Sequence, residues 1–429
     1  MSSTDPPRHT AFRYMTRFQC IGSECEATCC SGGWEIAVDR QHYDDTKKAL
    51  SKTPEGRREF DDKVALVKGL TRSPKQHALL VLQNNGDCSF LDEQRLCSLQ
   101  KRFGERILSH TCASYPRSVA AIGNRRELAG SASCPEVARQ LLLHADALEL
   151  VELPARAFSH KPGLQLASHP VHPYLRYHEE IRDLVLALLS QSEYPLPARL
   201  FMVAYFAQRT LDTLHRDVKV LDEARLLAEM ERIHSPALRR ALHDQFEKLP
   251  IDPATASRLV LALTSARGCV KGFDQLVLEV ITSYGGTGPA MEQGRFEVPA
   301  AALVQAYLEN KQAWSHSAAR IDGYLTNVAK NFWVCEWYAQ APNLLVHQLK
   351  LLVRIAVTRF LLLGHPALRA AQNGTPEEQG RALDQAVVEV VHRLTRAFDH
   401  DPPFKHRLQE GLVDDKLTSL AYAACLARF

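Results

Sequence analysis

Apolar side chains recur every three or four positions through most of the chain beyond residue 175. This spacing is typical of helices that bury one face. The pattern occurs in seven stretches: His178–Ser190, Leu200–Arg216, Asp222–Ile233, Ala254–Arg267, Ala300–Gln312, Leu344–Leu363 and Gly380–Ala397. Proline and glycine interrupt the pattern between them, as expected of connections between helices. Residues 175–429 are therefore predicted to form a helical body.

The first 150 residues have a more mixed pattern. Apolar and polar residues alternate over Trp34–Val38, and His77–Leu82 is a short apolar run, so both are predicted to be strands. Arg102–His110 has helical spacing, and Pro135–Leu143 opens with a proline, which suits the first position of a helix. Ala155–Pro173 lacks periodicity and is predicted to be a linker. We therefore expect a mainly α protein, with an N-terminal module (1–150) that contains short strands.

Composition narrows the choice of partners and compartment. The chain is 45% hydrophobic and 24% charged, and its formal net charge of +3 is too small to favour nucleic acid or a membrane surface as a partner. The N-terminus lacks the apolar run of a secretory signal, and no stretch of about 18 apolar residues occurs. We expect a cytoplasmic protein without nucleic-acid or membrane partners. The pattern indicates no particular oligomeric state.

Cysteine is concentrated at the start of the chain. Eight of the eleven cysteines precede residue 135: Cys20, Cys25, Cys29, Cys30, Cys88, Cys97, Cys112 and Cys134. Cytoplasmic thiols stay reduced, so such a cluster is more typical of a metal site than of disulfides. Zinc and the iron of iron–sulfur clusters both prefer thiolate ligands, and one zinc or one four-iron cluster needs four of them. All eight are candidate metal ligands, whereas Cys269, Cys335 and Cys425 are expected to be apolar core thiols.

The cysteines belong to four blocks of sequence that follow one another. Phe18–Trp34 reads FQCIGSECEATCCSGGW, Gly86–Asp92 reads GDCSFLD with Cys97 after it, Cys112–Arg117 reads CASYPR, and Ser133–Glu136 reads SCPE. With these blocks in this order, the chain resembles the flagellin lysine N-methylase family. Softer support comes from two short motifs in the helical part: Gly323–Asn327 and Arg396–His400.

The cysteine pattern is also similar to a wider group of zinc- and iron-chelating proteins named after a CxxCxxCC motif. That likeness ranks four cysteines first as ligands: Cys30, Cys88, Cys97 and Cys112. The family resemblance implies a protein lysine methyltransferase with S-adenosylmethionine as methyl donor and flagellin as substrate. It also implies an iron–sulfur cluster of the four-iron type, with zinc as the alternative metal.

Two features depart from known users of this donor. Cys25 and Cys29 are followed at once by Cys30, so the C-x3-C-x2-C signature of radical enzymes is absent. No glycine-rich turn follows a predicted strand, as it would in a nucleotide-binding fold of alternating strands and helices. Tyr284–Pro289 is rich in glycine but follows a helical pattern, and is predicted to be a surface turn. The sequence therefore does not place the donor pocket.

Methyl transfer to lysine makes one chemical demand, because only the neutral amine attacks a methyl sulfonium. The site must lower the pKa of the lysine by burial or supply a base. Candidate bases in the helical body are Tyr324, Glu336 and Glu309, and Arg117 could steady a cluster or a carboxylate. The aromatic run Phe332–Tyr338 could line a lysine channel, although core packing is the commoner role of such a run. Three histidines are further possible bases or ligands: His110, His178 and His400.

Two other functions fit the thiol-rich pattern. One is a non-catalytic iron or zinc protein that acts as a carrier or scaffold, and the other is a cysteine-based redox protein. Bound metal together with bound donor would favour the methylase. Tight metal without a donor would favour the carrier, and metal-free protein with reversible thiol oxidation would favour the redox protein.

Overall fold

Helices dominate the fold, and strands occur only within its first 166 residues among those described. The computed structural model describes residues 9–69, 72–158, 160–167, 173–214, 223–249, 272–286, 300–414 and 417–429. The predicted helix Ala254–Arg267 and Cys269 lie outside these ranges. The mainly α fold expected from the sequence is confirmed. No helix in the described ranges is long and apolar enough to cross a membrane.

The strands are short and form two sheets. Their bounds are β1 His9–Phe12, β2 Ala37–Val38, β3 Val64–Leu66, β4 Ala78–Leu80, β5 Arg117–Ile122, β6 Arg125–Gly130, β7 Leu150–Leu153 and β8 Leu164–Leu166. The larger sheet has the order β7-β1-β6-β5-β8, and the smaller has the order β2-β4-β3. In the larger sheet β1 runs parallel to β6 and antiparallel to β7, while β5 and β6 form a hairpin.

The first six helices lie among these strands, and the rest form the helical body. The first six are α1 Arg13–Arg17, α2 Arg40–Leu50, α3 Pro54–Lys63, α4 Ser98–Phe103, α5 His110–Ser114 and α6 Pro135–Leu142. The next five are α7 Pro173–Arg176, α8 His178–Leu189, α9 Leu196–Leu214, α10 Glu223–Ile233 and α11 Pro236–Lys248. The remainder are α12 Phe273–Ser283, α13 Ala300–Ala313, α14 Ala318–Cys335, α15 Leu344–Leu363, α16 Pro366–Ala371, α17 Pro376–Asp399, α18 Pro402–Asp414 and α19 Leu420–Arg428.

Local sequence signals explain the helices that were predicted well. The helix Leu344–Leu363 is confirmed with both ends, and a helix does begin at Pro135. Helix α17 starts four residues before the predicted Gly380, because Thr375 and Glu378 form a capping box. The Thr375 hydroxyl accepts from the Glu378 backbone amide at 3.3 Å, and the Glu378 carboxylate accepts from the Thr375 amide at 2.7 Å.

Three expectations for the first third of the chain are wrong in part. The predicted helix Arg102–His110 does not form, because α4 ends at Gly104, whose φ of +79° breaks a helix. Of Trp34–Val38 only the last two residues form a strand, β2, and of His77–Leu82 only Ala78–Leu80 does, as β4; these two strands pair with each other. Within the predicted linker Ala155–Pro173, β8 pairs in parallel with β5 as an edge strand of the larger sheet.

The apolar side chains form two separate cores. The small core lies between the three-stranded sheet and helices α2 to α5, around Phe60, Phe90 and Leu99. The large core contains the inner face of the five-stranded sheet together with the helical body. Helix α15 runs through its middle, with every residue buried except Lys350. The division of the chain at about residue 150 stays a prediction. Strands β1, β5 and β6, which precede that residue, pack with the helical body in the large core.

A buried tyrosine fastens the five-stranded sheet to the helical body. The Tyr14 hydroxyl donates to Oδ1 of Asn331 in α14 at 2.6 Å and accepts from the backbone amide of Gly130 in β6 at 2.5 Å. Asn331 also donates to the Gly130 carbonyl at 3.2 Å. Tyr14 is fully buried, so each of these polar groups depends on the others for a partner.

We expect Tyr14→Phe to lower the free energy of unfolding by about 1–3 kcal/mol, because it leaves buried polar atoms without a partner. Urea denaturation followed by circular dichroism measures the change. Tyr205→Phe is the control, because its hydroxyl only accepts from an exposed arginine, Arg232, and its loss should cost less than about 0.5 kcal/mol. Equal stabilities for the two variants would contradict the role given to Tyr14.

Candidate functional site

Five cysteine side chains line one cavity of about 280 Å³ beside the small core. They come from four segments that are distant in the sequence. The five are Cys29, Cys30, Cys88, Cys97 and Cys112. No cysteine in the described residues forms a disulfide, so these thiols are available as ligands. We call this space the thiol cavity.

Turns and helix starts hold the five thiols in place. Cys29–Ser31 is a single turn of 3-10 helix. The backbone amide of Cys88 donates to the carbonyl of Cys30 at 2.6 Å, which ties the second segment to the first. Cys97 directly precedes α4, and Cys112 lies within the short helix α5. The ligand candidates therefore sit on short, backbone-bonded elements.

Burial shapes the protonation of these thiols. It raises the pKa of Cys88 to about 11 and, with the neighbouring thiols, that of Cys112 to about 12. A hydrogen bond with Cys30 and the nearby Arg396 guanidinium lower the pKa of Cys29 to about 7, while the same bond and burial raise the pKa of Cys30. Without a cation, most of the cavity's thiols are therefore neutral at neutral pH.

The other three N-terminal cysteines lie outside the thiol cavity. Cys20 is exposed after α1, and Cys25 follows a 3-10 turn. Cys134 caps the start of α6, and burial raises its pKa to about 12, with a smaller contribution from the nearby Cys25. The four cysteines ranked first from the sequence thus share one cavity with Cys29. Cys335, at the end of α14, donates to the Gly130 carbonyl at 3.3 Å, and Cys425 lies in α19.

The thiol cavity can be compared with the needs of each metal. Its donors are thiols, which suit zinc and iron–sulfur clusters alike. Among the described residues, no three Cys, His, Asp or Glu side chains are arranged to hold a single metal ion. A mononuclear zinc needs four ligands converging at about 2.3 Å, whereas the ligands of a four-iron cluster bind different iron atoms. The donor set therefore fits both metals in kind.

The end of α17 connects the helical body to the cysteine segments through Arg396, which is 4% exposed. Its Nε donates to the carbonyl of Ser133 at 2.8 Å, and its Nη2 donates to the carbonyl of Ala27. Its guanidinium also lies over the Trp34 ring, 4.9 Å from the centroid. One side chain thus holds two cysteine-bearing segments and an aromatic wall of the thiol cavity.

The last residue of α17, Asp399, and the following residue, His400, complete this wall. His400 packs on Trp34 with the ring centroids 4.5 Å apart, and its Nε2 lies 2.9 Å from Oγ of Ser133. Burial lowers the pKa of His400, so its imidazole is neutral at neutral pH. Asp399 pairs with the buried Arg354, and this cation keeps the pKa of the carboxylate low although burial opposes it.

A second cavity of about 350 Å³ adjoins the thiol cavity. The two share four lining residues: Thr111, Tyr115, Asp399 and His400. Two candidates from the sequence, Arg117 and Glu336, face this second space. Nζ of Lys405 lies 2.7 Å from the Glu336 carboxylate. Arg117 lies over the Phe18 ring at 5.6 Å and has no acidic partner within the described ranges. We call this second cavity the reaction cavity.

A third cavity of about 240 Å³ continues from the reaction cavity. Phe332 and Glu336 line both, and Trp337 lines the third alone. Trp333 instead turns into the core, where its Nε1 donates to Gln348 at 3.2 Å, and Tyr338 packs on His178 with centroids 4.8 Å apart. The aromatic run therefore divides between a channel wall and the core.

The remaining candidates lie elsewhere. Tyr324 accepts from Nε of Arg320 at 2.5 Å and donates to Asp384, away from the reaction cavity. Glu309 is exposed and accepts from Gln305 at 2.9 Å. His178 is in the large core, while His110 lines the reaction cavity.

Sequence reasoning missed three charged residues at this site: Arg354, Asp399 and Lys405. Only Asp399 carried a signal, because it lies inside the motif Arg396–His400. Arg354 is buried in the middle of the mostly apolar helix α15, where a buried arginine requires a partner.

Comparison of this sequence with known proteins shows which family it matches. The FliB lysine N-methylase C-terminal domain matches residues 182–426. The lysine-N-methylases of Salmonella typhimurium (strain LT2) and Salmonella choleraesuis (strain SC-B67) are each 27% identical over 315 residues, which is 70% of this chain and 74% of each relative. The flagellar biosynthetic protein FliU of Salmonella muenchen is 36% identical over 139 residues, or 32% of this chain and 79% of that protein.

No solved structure matches this chain. The family domain covers more than half of the chain, including Arg354 in α15, Arg396 in α17 and Glu336, which directly follows α14. The chain belongs to the FliB lysine N-methylase family.

Proposed function

We propose that this protein methylates lysine side chains of flagellin, with S-adenosylmethionine as donor and an iron–sulfur cluster in the thiol cavity. Family membership and the names of the relatives support the reaction and the flagellar substrate. The observation that carries the assignment of the site is the row of adjoining cavities. Five thiols lie at one end, and a charged pocket with aromatic walls lies at the other.

Cys29, Cys30, Cys88, Cys97 and Cys112 are the side chains that would hold the cluster, and four of the five suffice. When bound, an iron–sulfur cluster supplies a redox centre. The chain's own contribution is cover and charge: Trp34 closes one side of the cavity, and the Arg396 cation next to Cys29 offsets thiolate charge.

The reaction cavity suits the lysine side chain in two ways. Phe332, which lines both the reaction cavity and the third cavity, and Trp337, which lines the third cavity, offer apolar surface to its methylene groups and keep water away from the amine. Arg117 and Arg354 line the reaction cavity and Lys405 lines the adjoining third cavity, and these three cations face two carboxylates, Glu336 and Asp399. This excess of positive charge lowers the pKa of an incoming ammonium group, and the neutral amine is the nucleophile.

Methyl transfer forms a bond from the amine nitrogen to the methyl carbon and breaks the bond from that carbon to the donor sulfur. When bound, S-adenosylmethionine supplies the electrophilic methyl group. The amine must also lose a proton. Glu336 faces the reaction cavity and is the acceptor that we favour, with Lys405 fixing the direction of its carboxylate. The neutral imidazole of His400 lines the same space.

The protein purified without oxygen should contain iron and acid-labile sulfide together, because its clustered donors are thiols. Cys88→Ser with Cys112→Ser leaves three of the five thiols, so this double variant should lose the metal and lower the midpoint of thermal unfolding, since loss of ligands also removes folding energy. Cys25→Ser with Cys134→Ser is the matched control, because it also removes two partly buried thiols, and both lie outside the thiol cavity. Iron and sulfide assays with an absorption spectrum measure both.

Stoichiometric zinc without sulfide would contradict the cluster and leave a thiolate metal site. Equal metal loss in the two variants would contradict the assignment of the ligands to the thiol cavity.

Co-expression with flagellin should add methyl groups to flagellin lysines, which intact-mass and peptide mass spectrometry detect. The purified protein should also bind S-adenosylmethionine, as isothermal titration shows. Unmodified flagellin beside soluble, metal-loaded protein would contradict this substrate. Metal-loaded protein that binds no donor would instead favour a metal carrier, and metal-free protein with reversible thiol oxidation would favour a redox function.

Glu336→Gln should lower the rate of methyl transfer about a hundredfold while the metal stays bound, because the amide cannot accept the proton. Glu309→Gln is the matched control, since that glutamate is exposed on α13 and touches none of the three cavities. Single-turnover methylation with saturating donor measures the chemical step. Full activity in Glu336→Gln would exclude it as the base.

A further inference from the structure

A cleft of about 820 Å³ runs along one side of α17 and is separate from the three cavities described above. One wall is the face of α17 from Arg381 to Arg396, a length of about 22 Å at 1.5 Å per residue. The opposite wall comes from the first cysteine segment, the turn that contains Arg95, and Arg139 of α6. An extended peptide of about seven residues has this length.

The charge of the cleft is mainly positive. Five arginines line it against three acidic residues: Arg95, Arg139, Arg381, Arg393 and Arg396 against Glu26, Asp384 and Glu389. Three of the arginines already have acidic partners. Arg139 pairs with Glu26 and Glu136, Arg393 with Glu389, and Arg381 with Glu377. Arg95 and Arg396 have no acidic partner in the part of the chain that the structure describes, so the cleft carries uncompensated positive charge.

Two further observations indicate a ligand. His392 lines the cleft and is 3% exposed, yet its Nδ1 has no hydrogen-bond partner in the described part of the chain. Arg95 is the non-glycine residue with positive φ (60°) among those described. This conformation is unfavourable for a residue with a side chain, and a glycine would adopt it without strain. An arginine held in this conformation at the edge of a basic cleft indicates that its positive charge has a function.

The cleft also points toward the reaction cavity. Val388 and His392 line the cleft, and Thr395 and Asp399 line the reaction cavity. These four residues are spaced by four, three and four along α17, so they share one face of the helix. A peptide segment bound along the cleft would therefore extend toward the C-terminal end of α17, where Asp399 and His400 line the thiol cavity and the reaction cavity.

We propose that this cleft docks an extended, acidic segment of the protein substrate and so presents a neighbouring lysine to the reaction cavity. The inference rests on the proposed function, because it names the part of the substrate that the enzyme recognises. The carboxylates of the segment would pair with Arg95 and Arg381 at the open edges and with the unpaired Nδ1 of His392 deeper in the cleft.

Binding can be measured without catalysis. The probe is a fluorescently labelled peptide of about seven residues rich in aspartate and glutamate, compared with the same peptide carrying the corresponding amides. The metal-loaded protein should bind the acidic peptide more tightly, and added salt should weaken this binding. Arg95→Glu with Arg381→Glu should weaken it about tenfold, because two attractive charges become repulsive. Arg57→Glu with Arg240→Glu, two exposed arginines outside the cleft, should leave it unchanged.

Arg95→Gly tests the same point without a risk to folding. Glycine favours the left-handed backbone at this position, so the variant should unfold at a temperature no lower than wild type while binding the acidic peptide more weakly. In methylation assays the cleft variants should raise KM for flagellin about tenfold and change kcat less than about twofold.

Equal binding of the acidic and amide peptides, or unchanged binding in the charge-reversed variant, would overturn the docking proposal. Methylation of flagellin by wild type would still stand in that case. Absence of methylation by wild-type protein would instead contradict the proposed function, and the peptide measurement would decide the cleft separately.

Discussion

The rest of the site depends on one buried cation, the guanidinium of Arg396. It bonds to backbone carbonyls before Cys29 and before Cys134, lies over Trp34, and its charge helps to lower the pKa of the Cys29 thiol. A buried arginine without a carboxylate partner is costly unless other groups accept its protons and share its charge. Two backbone carbonyls accept protons of Arg396 here, and thiolates bound to a metal would share its charge. The helical body and the cysteine segments are thus coupled electrostatically.

The small core shows why a metal would matter for folding as well as chemistry. Its fully buried apolar side chains are few, and a large part of its surface faces a cavity of about 280 Å³ lined by thiols. Small cores seldom stabilise a fold alone, and metal ligation often supplies the missing free energy. The large core has no such need, since α15 is enclosed by apolar neighbours over most of its length. Loss of the proposed metal should therefore destabilise the cysteine-bearing segments before the helical body.

The sequence allowed some of this to be predicted, for reasons visible in particular residues. Strong periodicity with clear ends defined Leu344–Leu363, and the four first-ranked cysteines do share a cavity. The five-stranded sheet was not predicted, because β1 pairs with β6 and β7 across more than 100 residues and the β5–β6 hairpin does not alternate strongly. Two salt bridges join residues that are at least 45 positions apart in the sequence: Glu336–Lys405 and Arg354–Asp399. No local spacing reveals such pairs.

The arrangement of charge separates two tasks that a protein-modifying enzyme must perform. A lysine at the point of methylation has to be neutral, so cations near the amine help; a folded substrate has to be held by its surface, where charge attracts charge. Here both regions are electropositive, and α17 contributes to both along a single face, from Arg381 at the open cleft to Asp399 beside the thiols. An acidic flank and a neighbouring lysine on one strand of substrate would meet this surface in matching order. In the proposed function, the same positive field would attract the flank and favour loss of the proton from the lysine, so recognition and activation would arise from one distribution of charge.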